Sequence, residues 1–302
     1  YGMNYGYRSG LNKSMVRHLK NKVKHILSLN ILEAKDLIID IGSNDATTLK
    51  AYSGQDLIKV GIDPTGEKFE KYYTNDIHLI TDFFPTDNFE AKFPGMKAKI
   101  ITTIAMFYDL EDPLSFVKSI AEVLHDEGIW HLEQSYLPLM FKANAYDTVC
   151  HEHLEYYTLG NIKFIVEKFG LKIIDVQTND INGGSFAVSV VHESVNNYLI
   201  DNGNVERLLA EEEEMELNTL KPYRQFEQRV FQHKKDLKEM VFSLVADGKK
   251  VIGYGASTKG NVLLQFCGFT ENEIPFIAEV NEDKFGHYTP GTKIPIISES
   301  EA

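Results

Sequence analysis

The 302 residues carry 31 Lys and Arg against 44 Asp and Glu, a formal charge of −13, with 43% hydrophobic residues and two cysteines. A chain of this length can bury a sizeable core and, at roughly 100–200 residues per domain, suggests two domains. The acidic balance argues against a general nucleic-acid binder, which needs a basic stripe to displace counterions. The longest apolar stretches, such as 100–107, fall short of the roughly 20 residues of a membrane helix, and no secretory signal opens the chain. Cys150 and Cys267 lie far apart, so no disulfide framework is suggested and a cytoplasmic protein is expected. The chain opens on Tyr1-Gly2-Met3 and stops at Ser300-Glu301-Ala302 soon after an apparent strand, so both ends are expected to be cut edges.

Met15, Leu19, Val23, Ile26 and Leu27 recur at near-helical spacing and predict a first helix over 12–29. Leu37-Ile38-Ile39-Asp40-Ile41 is an apolar run suited to a strand buried on both faces, and it feeds directly into Gly42-Ser43-Asn44-Asp45. A strand entering a tight polar turn opens a nucleotide-binding α/β unit. The alternation continues with a strand over 58–63, a helix over 67–72, strands over 77–80 and 100–106, a helix over 112–125 and a strand over 129–133. Pro113 in the first turn and Gly128 past the end mark that last helix. Residues 134–158 show no clean period yet are rich in Tyr, His and Glu. A loop of that length in a compact domain is commonly functional, and the chemistry is placed there. A helix over 161–169 and strands over 171–176 and 185–192, the strands joined across Asn182-Gly183-Gly184, predict an antiparallel closure of the first domain. Residues 205–247 read as helical, broken or kinked at Pro222, with Glu211-Glu212-Glu213-Glu214 as a solvated face. Residues 250–260 begin a second strand, glycine turn and helix, followed by a strand over 274–280. The expected fold class is α/β: a Rossmann-like domain over 1–195, a helical connector over 196–248, and a second, truncated Rossmann-like domain over 249–302.

The turn after Asp40 has small residues at Gly42, Ser43 and Ala46, so a ligand can approach its backbone closely. It matches neither G-x-G-x-x-G nor a P-loop, which makes pyrophosphate a poor first choice. Asp63, in Gly61-Ile62-Asp63-Pro64, ends the second strand, where a carboxylate can accept the ribose hydroxyls of NAD or S-adenosylmethionine. Asp82-Phe83-Phe84 ends a later strand and offers an acid and a ring to an adenine. As a set, Asp40, Asp63 and Asp82 favour a nucleoside with no phosphate to repel; each alone would more often be a cap or turn residue.

In 146–157, Cys150-His151-Glu152-His153 supplies a base near neutral pH and a carboxylate to tune it. Cys150, His151 and His153 also allow a metal reading, but no second Cys/His cluster supports it and H-E-x-x-H is absent. Histidines packed among tyrosines are the plain structural alternative. Tyr5, Tyr7 and Arg8 precede the first helix and carry no assignment from sequence alone.

Tyr5-Gly6-Tyr7-Arg8-Ser9-Gly10, Asp40-Ile41-Gly42-Ser43-Asn44-Asp45, Gly61-Ile62-Asp63-Pro64, Ala105-Met106-Phe107-Tyr108, Glu133-Gln134-Ser135-Tyr136, the 150–157 motif, Asn182-Gly183-Gly184-Ser185 and Gly253-Tyr254-Gly255-Ala256 together resemble the sugar C-methyltransferases of deoxysugar biosynthesis, over essentially the whole chain. The resemblance implies a class I methyltransferase domain that uses S-adenosylmethionine, set in that family between an amino-terminal zinc-binding module and a carboxy-terminal Rossmann-like domain. It implies methyl transfer to C3 of a nucleotide-linked 4-keto-6-deoxyhexose, with both reactants held between two domains. By the same resemblance His153 is the base that removes the C3 proton, with Glu152 beside it. Tyr5 or Tyr7 would donate to the enolate oxygen, and Tyr108 or Asp109 occupies the region of another polar active-site group.

Cofactor contacts are implied at Asp40, Gly42, Asn44, Asp45, Asp63, Asp82, Phe83, Ala105, Met106 and Gln134. Ser135 would border both ligands with Gln134. The sugar-nucleotide side is implied at Cys150, at Asn182, Gly183, Gly184 and Ser185, and at Gly253, Tyr254, Gly255, Ala256 and Lys259. The zinc module of the family is expected to be absent from this chain, and no metal is expected in it. Ala46 stands where many methyltransferases have glycine, and Cys150 where some relatives have tyrosine. The expected partner is a keto-sugar nucleotide, with no nucleic acid and no membrane, and the oligomeric state is left open. An NAD-dependent oxidoreductase is the chemically distinct rival: Gly253-Tyr254-Gly255 and Glu279 imitate a dinucleotide site, but Thr258 sits where the third glycine belongs. A catalytically inactive nucleotide-sugar or S-adenosylmethionine binder is the other, and the presence of His153, Glu152 and both tyrosines counts against it.

Overall fold

The structure, a computed structural model, describes residues 7–196, 198 and 203–302. Over the described residues it divides into two compact units, one formed by 7–137 with those of 154–212, the other by 138–153 with 213–302. The expected boundaries at 195 and 248 cut the chain elsewhere, because they leave 138–153 with the first domain.

In the first unit Asn12 caps α1 (Lys13–Ser28) by accepting the Ser14 N–H at 2.9 Å, and Leu19, Val23 and Ile26 form its buried stripe. Then come β1 (Leu37–Ile41), α2 (Thr47–Lys50), β2 (Ile58–Ile62), α3 (Gly66–Phe69), β3 (Ile77–Ile80), α4 (Asp87–Lys92), β4 (Ala98–Ile104), α5 (Pro113–Val123) and β5 (Leu124–Ser135). After α6 (Leu137–Ala143), α7 (Leu159–Glu167) leads into β6 (Leu171–Asn179) and β7 (Ser185–His192). The seven strands form one sheet in the order β3-β2-β1-β4-β5-β7-β6, with β7 antiparallel to both neighbours and the other pairs parallel. Strand order reverses between β1 and β4, and in open α/β sheets ligands bind beyond the carboxyl ends of the strands at such a switch point. All five residues of β1 are buried, the signature of a strand covered on both faces.

Several elements differ from expectation. The helix expected over 112–125 ends at Val123, because Leu124 is already extended and pairs with Ala98; a Cβ on Gly128 would come within 2.7 Å of the Ala98 carbonyl oxygen, so this glycine permits close strand approach rather than ending a helix. Residues 134–158 are not one loop, since they contain α6 and a 3-10 turn over Tyr146–Thr148. The helical region past 203 is α8 (Asn204–Glu214) and α9 (Lys221–Ala246), and Pro222 opens α9 from its first turn instead of kinking a longer helix. The acidic run is not wholly solvated: Glu212 is buried and accepts hydrogen bonds from the Leu159 and Gly160 amides and from the Tyr136 hydroxyl. Those two amides begin α7 and lack partners within the helix, so a carboxylate there meets both the unsatisfied donors and the positive end of the dipole.

The second unit contains 138–153, α9, β8 (Gly253–Tyr254), α10 (Thr258–Cys267), β9 (Ile277–Glu279) and β10 (Ile296–Ser298). Its three strands are parallel in the order β10-β9-β8, over a core of Val241, Cys267, Phe269, Ile274, Ile277, Ile294 and Ile296. Residues 138–153 are fixed by aromatic contacts: Phe141 stacks on Phe226 at 4.6 Å and meets Tyr223 edge-on, Arg229 donates to the Phe141 carbonyl at 2.8 Å, and Tyr146 bonds His233 at 2.9 Å and packs on Phe266. Among the described residues no helix is long and apolar enough to cross a membrane.

Glu212→Gln keeps the size of the side chain but removes the charge and one acceptor. It is expected to lower unfolding stability by about 1–3 kcal/mol in urea titrations; an unchanged midpoint would remove Glu212 from the capping of α7.

Candidate active site

The turn from β1 into α2 is held in an uncommon backbone shape. Gly42 has φ +73°, and a Cβ there would press to 3.2 Å on Met106. Asn44 and Ala46 are also left-handed, at φ 50° and 58°. Ala46 therefore adopts the conformation glycine would take there, at the strain cost of a non-glycine residue. Asp63 secures the turn from β2: its Oδ2 accepts the Asn44 amide at 2.7 Å and its Oδ1 accepts the Thr65 amide and hydroxyl. A carboxylate has about four acceptor positions, so these bonds leave room at Oδ2 for a single further donor. That is fewer than the pair of ribose hydroxyls expected from the sequence.

Residues 7–10 lie across the same turn. The Ser9 amide donates to Asn44 Oδ1 and the Gly10 amide to Asp45 Oδ2, both at 3.0 Å, and Asn44 Nδ2 donates back to the Tyr7 carbonyl. Tyr7 is 45% exposed by area, yet its hydroxyl end is desolvated. Burial and the nearby Asp45 raise its pKa against the bond to Ser9, so the phenol keeps its proton. Tyr5 lies outside the described residues. Asp82 is exposed and its carboxylate is engaged locally, by the Phe83 amide, the Thr86 hydroxyl and Asn88 Nδ2 ahead of α4. The Phe83 ring beside it is 63% exposed.

At the carboxyl ends of β4 and β5, Ala105 is left-handed at φ 55°, and its amide donates to the Glu133 carbonyl at 2.7 Å. Gln134 is 1% exposed, and among the described residues neither its amide nitrogen nor its oxygen has a hydrogen-bond partner. A buried amide without a partner is a group that a bound ligand could satisfy. Ser135 pairs with Ser185 across β5 and β7, and the turn before β7 runs through left-handed Asn182, Gly183 and Gly184. The Gly184 carbonyl accepts the Tyr136 amide at 3.1 Å. Tyr108 is buried, and its carbonyl accepts the amides of Leu154 and Glu155 at 3.0 and 3.1 Å.

The sequence reading missed a buried ionic group behind this edge. The Glu133 carboxylate accepts from His18 and Lys22 of α1 and from Asn179 of β6. Burial would raise its pKa, but His18 and Lys22 outweigh burial and hold it low. The available signal was His18 and Lys22 four apart on one helix face opposite an acid in an otherwise apolar strand.

In the second unit, His153 is hydrogen-bonded to the Thr148 backbone, and its amide donates to the Cys150 carbonyl at 3.3 Å. Burial and the Lys259 charge lower its pKa against the Thr148 bond and Glu152. Burial likewise lowers the Lys259 pKa, opposed by Asp147 and Cys150. Cys150, Glu152, His153 and Lys259 are thus gathered in one unit. Gly255 is left-handed, the Tyr254 hydroxyl meets Glu299, and Ser257 caps α10 through the Gly260 amide at 3.0 Å. Glu279 accepts the amides of Ala256, Val280 and Asn281 and lies 3.6 Å from Lys284. Like Asp63, it keeps one acceptor position for a further donor, and the third glycine of a dinucleotide motif is still replaced by Thr258. Among the described residues no three His, Cys, Asp or Glu side chains converge to hold a metal, and Cys150, His151 and His153 do not do so.

The donors of the first unit fit an adenosyl cation: three acids cluster at Asp40, Asp45 and Asp63, with the unmet amide of Gln134 and no phosphate-binding glycine pattern. Burial pushes Asp40 up to about 7, opposed by bonds from Thr102 and Thr48 and reinforced by Asp63. A carboxyl raised above its unfolded value of about 4 stabilises the fold fully below that value and loses the contribution as pH rises through about 7. The stability of the wild type relative to Asp40→Asn is therefore expected to fall between pH 4 and 8 in denaturant titrations; a pH-independent difference would show Asp40 to be an ordinary carboxylate.

Residues 15–176 match the family described as a methyltransferase domain, and 180–302 match the C-methyltransferase C-terminal domain. C-methyltransferase NovU of Streptomyces niveus is 30% identical over 300 residues, which cover 99% of this chain and 71% of that relative. Among solved structures, magnesium protoporphyrin IX methyltransferase (ChlM) of Synechocystis with bound SAH overlaps 60% of this chain and 88% of its own at 12% identity and TM-score 0.45. LepI in complex with SAM overlaps 53% and 43% at 16% identity and TM-score 0.44. The match of 15–176 spans more than half of the chain, the NovU alignment runs through both units, and the sheet order is that of a Rossmann-like class I fold. This chain belongs to the S-adenosylmethionine-dependent C-methyltransferase family.

Proposed function

We propose that the methyl acceptor is C3 of a nucleotide-linked 4-keto-6-deoxyhexose and that transfer runs through an enolate. S-adenosylmethionine, when bound, supplies an electrophilic methyl group on a sulfonium. A C–H bond is too weak an acid to react with it unaided, so the protein must first generate a carbon nucleophile. A ketone at C4 acidifies the neighbouring C3 proton. His153 would take that proton, leaving the C–H electron pair in the enolate, and bound S-adenosylmethionine would then supply its methyl group to C3, its sulfur keeping the electrons of the bond that breaks.

The observation that supports this reading is the setting of His153. Burial and the Lys259 cation hold its pKa below the ordinary histidine value, so at neutral pH the imidazole is unprotonated, the form a general base needs. Glu152, next in the chain, draws the pKa the other way and strengthens the base. A phenol that keeps its proton, as Tyr7 does, suits the enolate-oxygen donor, and Tyr5 shares that assignment. Tyr108 is assigned to the active-site surround. On the cofactor side stand Asp40, Gly42, Asn44, Asp45, Asp63, Asp82, Phe83, Ala105, Met106 and Gln134. The sugar nucleotide is assigned to Ser135, Cys150, the 182–185 turn and the 253–256 turn with Lys259.

Incubation with S-adenosylmethionine and a thymidine-diphosphate 4-keto-6-deoxyhexose is expected to add one methylene's mass on carbon, read by mass spectrometry. Failure across a panel of keto-sugar nucleotides would overturn the substrate class. His153→Ala is expected to abolish turnover while calorimetric affinity for S-adenosylmethionine stays within about twofold, and undiminished methylation would exclude His153 as the base.

A further inference from the structure

Beside the β1–α2 turn lies a cavity of about 470 Å³ whose lining includes Arg8, Lys20, Asp45, Thr47, Lys50 and Tyr72. In a chain of net charge −13, this surface sets three cations against one carboxylate. That carboxylate is already engaged: Asp45 accepts the Gly10 amide and the Thr47 amide and hydroxyl. Arg8 is held in place by the ring of Tyr72, 4.5 Å from its guanidinium, by a bond to the Tyr72 hydroxyl, and by the tether of the next two amides to Asn44 and Asp45. Its Nε is buried, lies 3.8 Å from Asp45, and makes no hydrogen bond among the described residues. Lys50 reaches the Tyr72 carbonyl at 3.3 Å on the same side.

A stacked guanidinium with an unmet donor is a receptor for a planar anion, which it binds with a fixed fork of N–H groups. The methyl donor of this family is an adenosine at one end and an α-amino acid at the other. Its adenosyl and sulfonium parts suit an acidic turn; its carboxylate does not, and needs a cation close to that turn. We infer that Arg8, supported by Lys50 and Lys20, binds the carboxylate of the amino-acid end of S-adenosylmethionine. Beyond its three bonds Asp45, 3.8 Å from Arg8, keeps one acceptor position, at Oδ2, for an adjacent α-ammonium. The inference rests on the cofactor reading of the turn and adds to it the anchoring residue that acidic contacts alone leave out.

The test compares S-adenosylmethionine with its decarboxylated analogue by calorimetry on the wild type, Arg8→Met and Lys50→Met. The wild type is expected to prefer S-adenosylmethionine by about tenfold or more, the worth of a charge-assisted hydrogen bond. Arg8→Met should lose that preference, weakening about tenfold for S-adenosylmethionine and less than twofold for the analogue, while Lys50→Met loses it in part. Equal weakening toward both ligands would make Arg8 a structural residue and overturn the inference, as would no weakening at all. If the unliganded Arg8→Met protein fails to match the wild-type thermal midpoint, Arg8→Lys carries the comparison, since it keeps a charge but not the planar fork. Absence of binding by the wild type to either ligand would bring down the cofactor reading itself, an outcome distinct from a selective failure of Arg8.

Discussion

The first unit depends on one bond between two neighbouring strands: the Asp63 carboxylate holding the Asn44 amide. Left alone, a turn with left-handed Gly42, Asn44 and Ala46 would relax, because non-glycine residues in that region are strained. Asp63, buried at the end of β2, fixes it from outside at 2.7 Å. Everything further out is built on that anchor. Asn44 then uses its side chain to hold residues 7–9, Asp45 holds Gly10, and the packing of Met106 against Gly42 brings in the end of β4. Strain at the turn and order in the segment before α1 are two aspects of one arrangement.

The two units place different chemistry in different physical settings. In the first, Asp40 and Asp63 are buried with no ion pair among the described residues, and burial makes Asp40 a weak acid. In the second, Lys259 and His153 are partly buried together, and burial with the lysine's charge makes the imidazole a weaker base than in water. Glu133 follows a third pattern. It is buried with His18, Lys22 and Asn179 around it, so its charge is retained and it joins α1 to the sheet.

Much of the fold was readable because hydrophobic periodicity reports burial directly. The fully buried β1, the capped α1 and the Asn182-Gly183-Gly184 turn all came from residues whose local preference agrees with their tertiary setting. Errors arose where long-range contacts override local signals. Leu124 looks like a helix end but pairs with Ala98 of β4, and Glu212 sits in a run of four acids that by itself predicts solvent. Pro222 was read as a break because its position relative to the helix start cannot be known before the start is. Residues 134–158 have no period of their own because aromatic contacts with α9 and α10, far along the chain, decide their course. Asp40, Asp63, Asp82 and the 150–153 motif stand out by kind and spacing and the other candidates by the family resemblance, whereas the orphaned amide of Gln134 and the stacking of Arg8 on Tyr72 exist only once the chain is folded.

The path of the chain between the units carries a further consequence. Residues 138–153 leave the first unit and return to it before the chain departs again near 213, so the polypeptide passes between units three times. The histidine assigned as base is encoded inside the stretch of the gene that specifies the cofactor unit, yet it folds among side chains from the other end. Exchange of carboxy-terminal segments between relatives, whether by recombination or by an engineer, cannot be made at one junction without setting a foreign helix pair against a native 138–153. A functional chimaera has to exchange two separated segments together, and the residues that travel as a pair are those at the aromatic contacts of Phe141 and Tyr146.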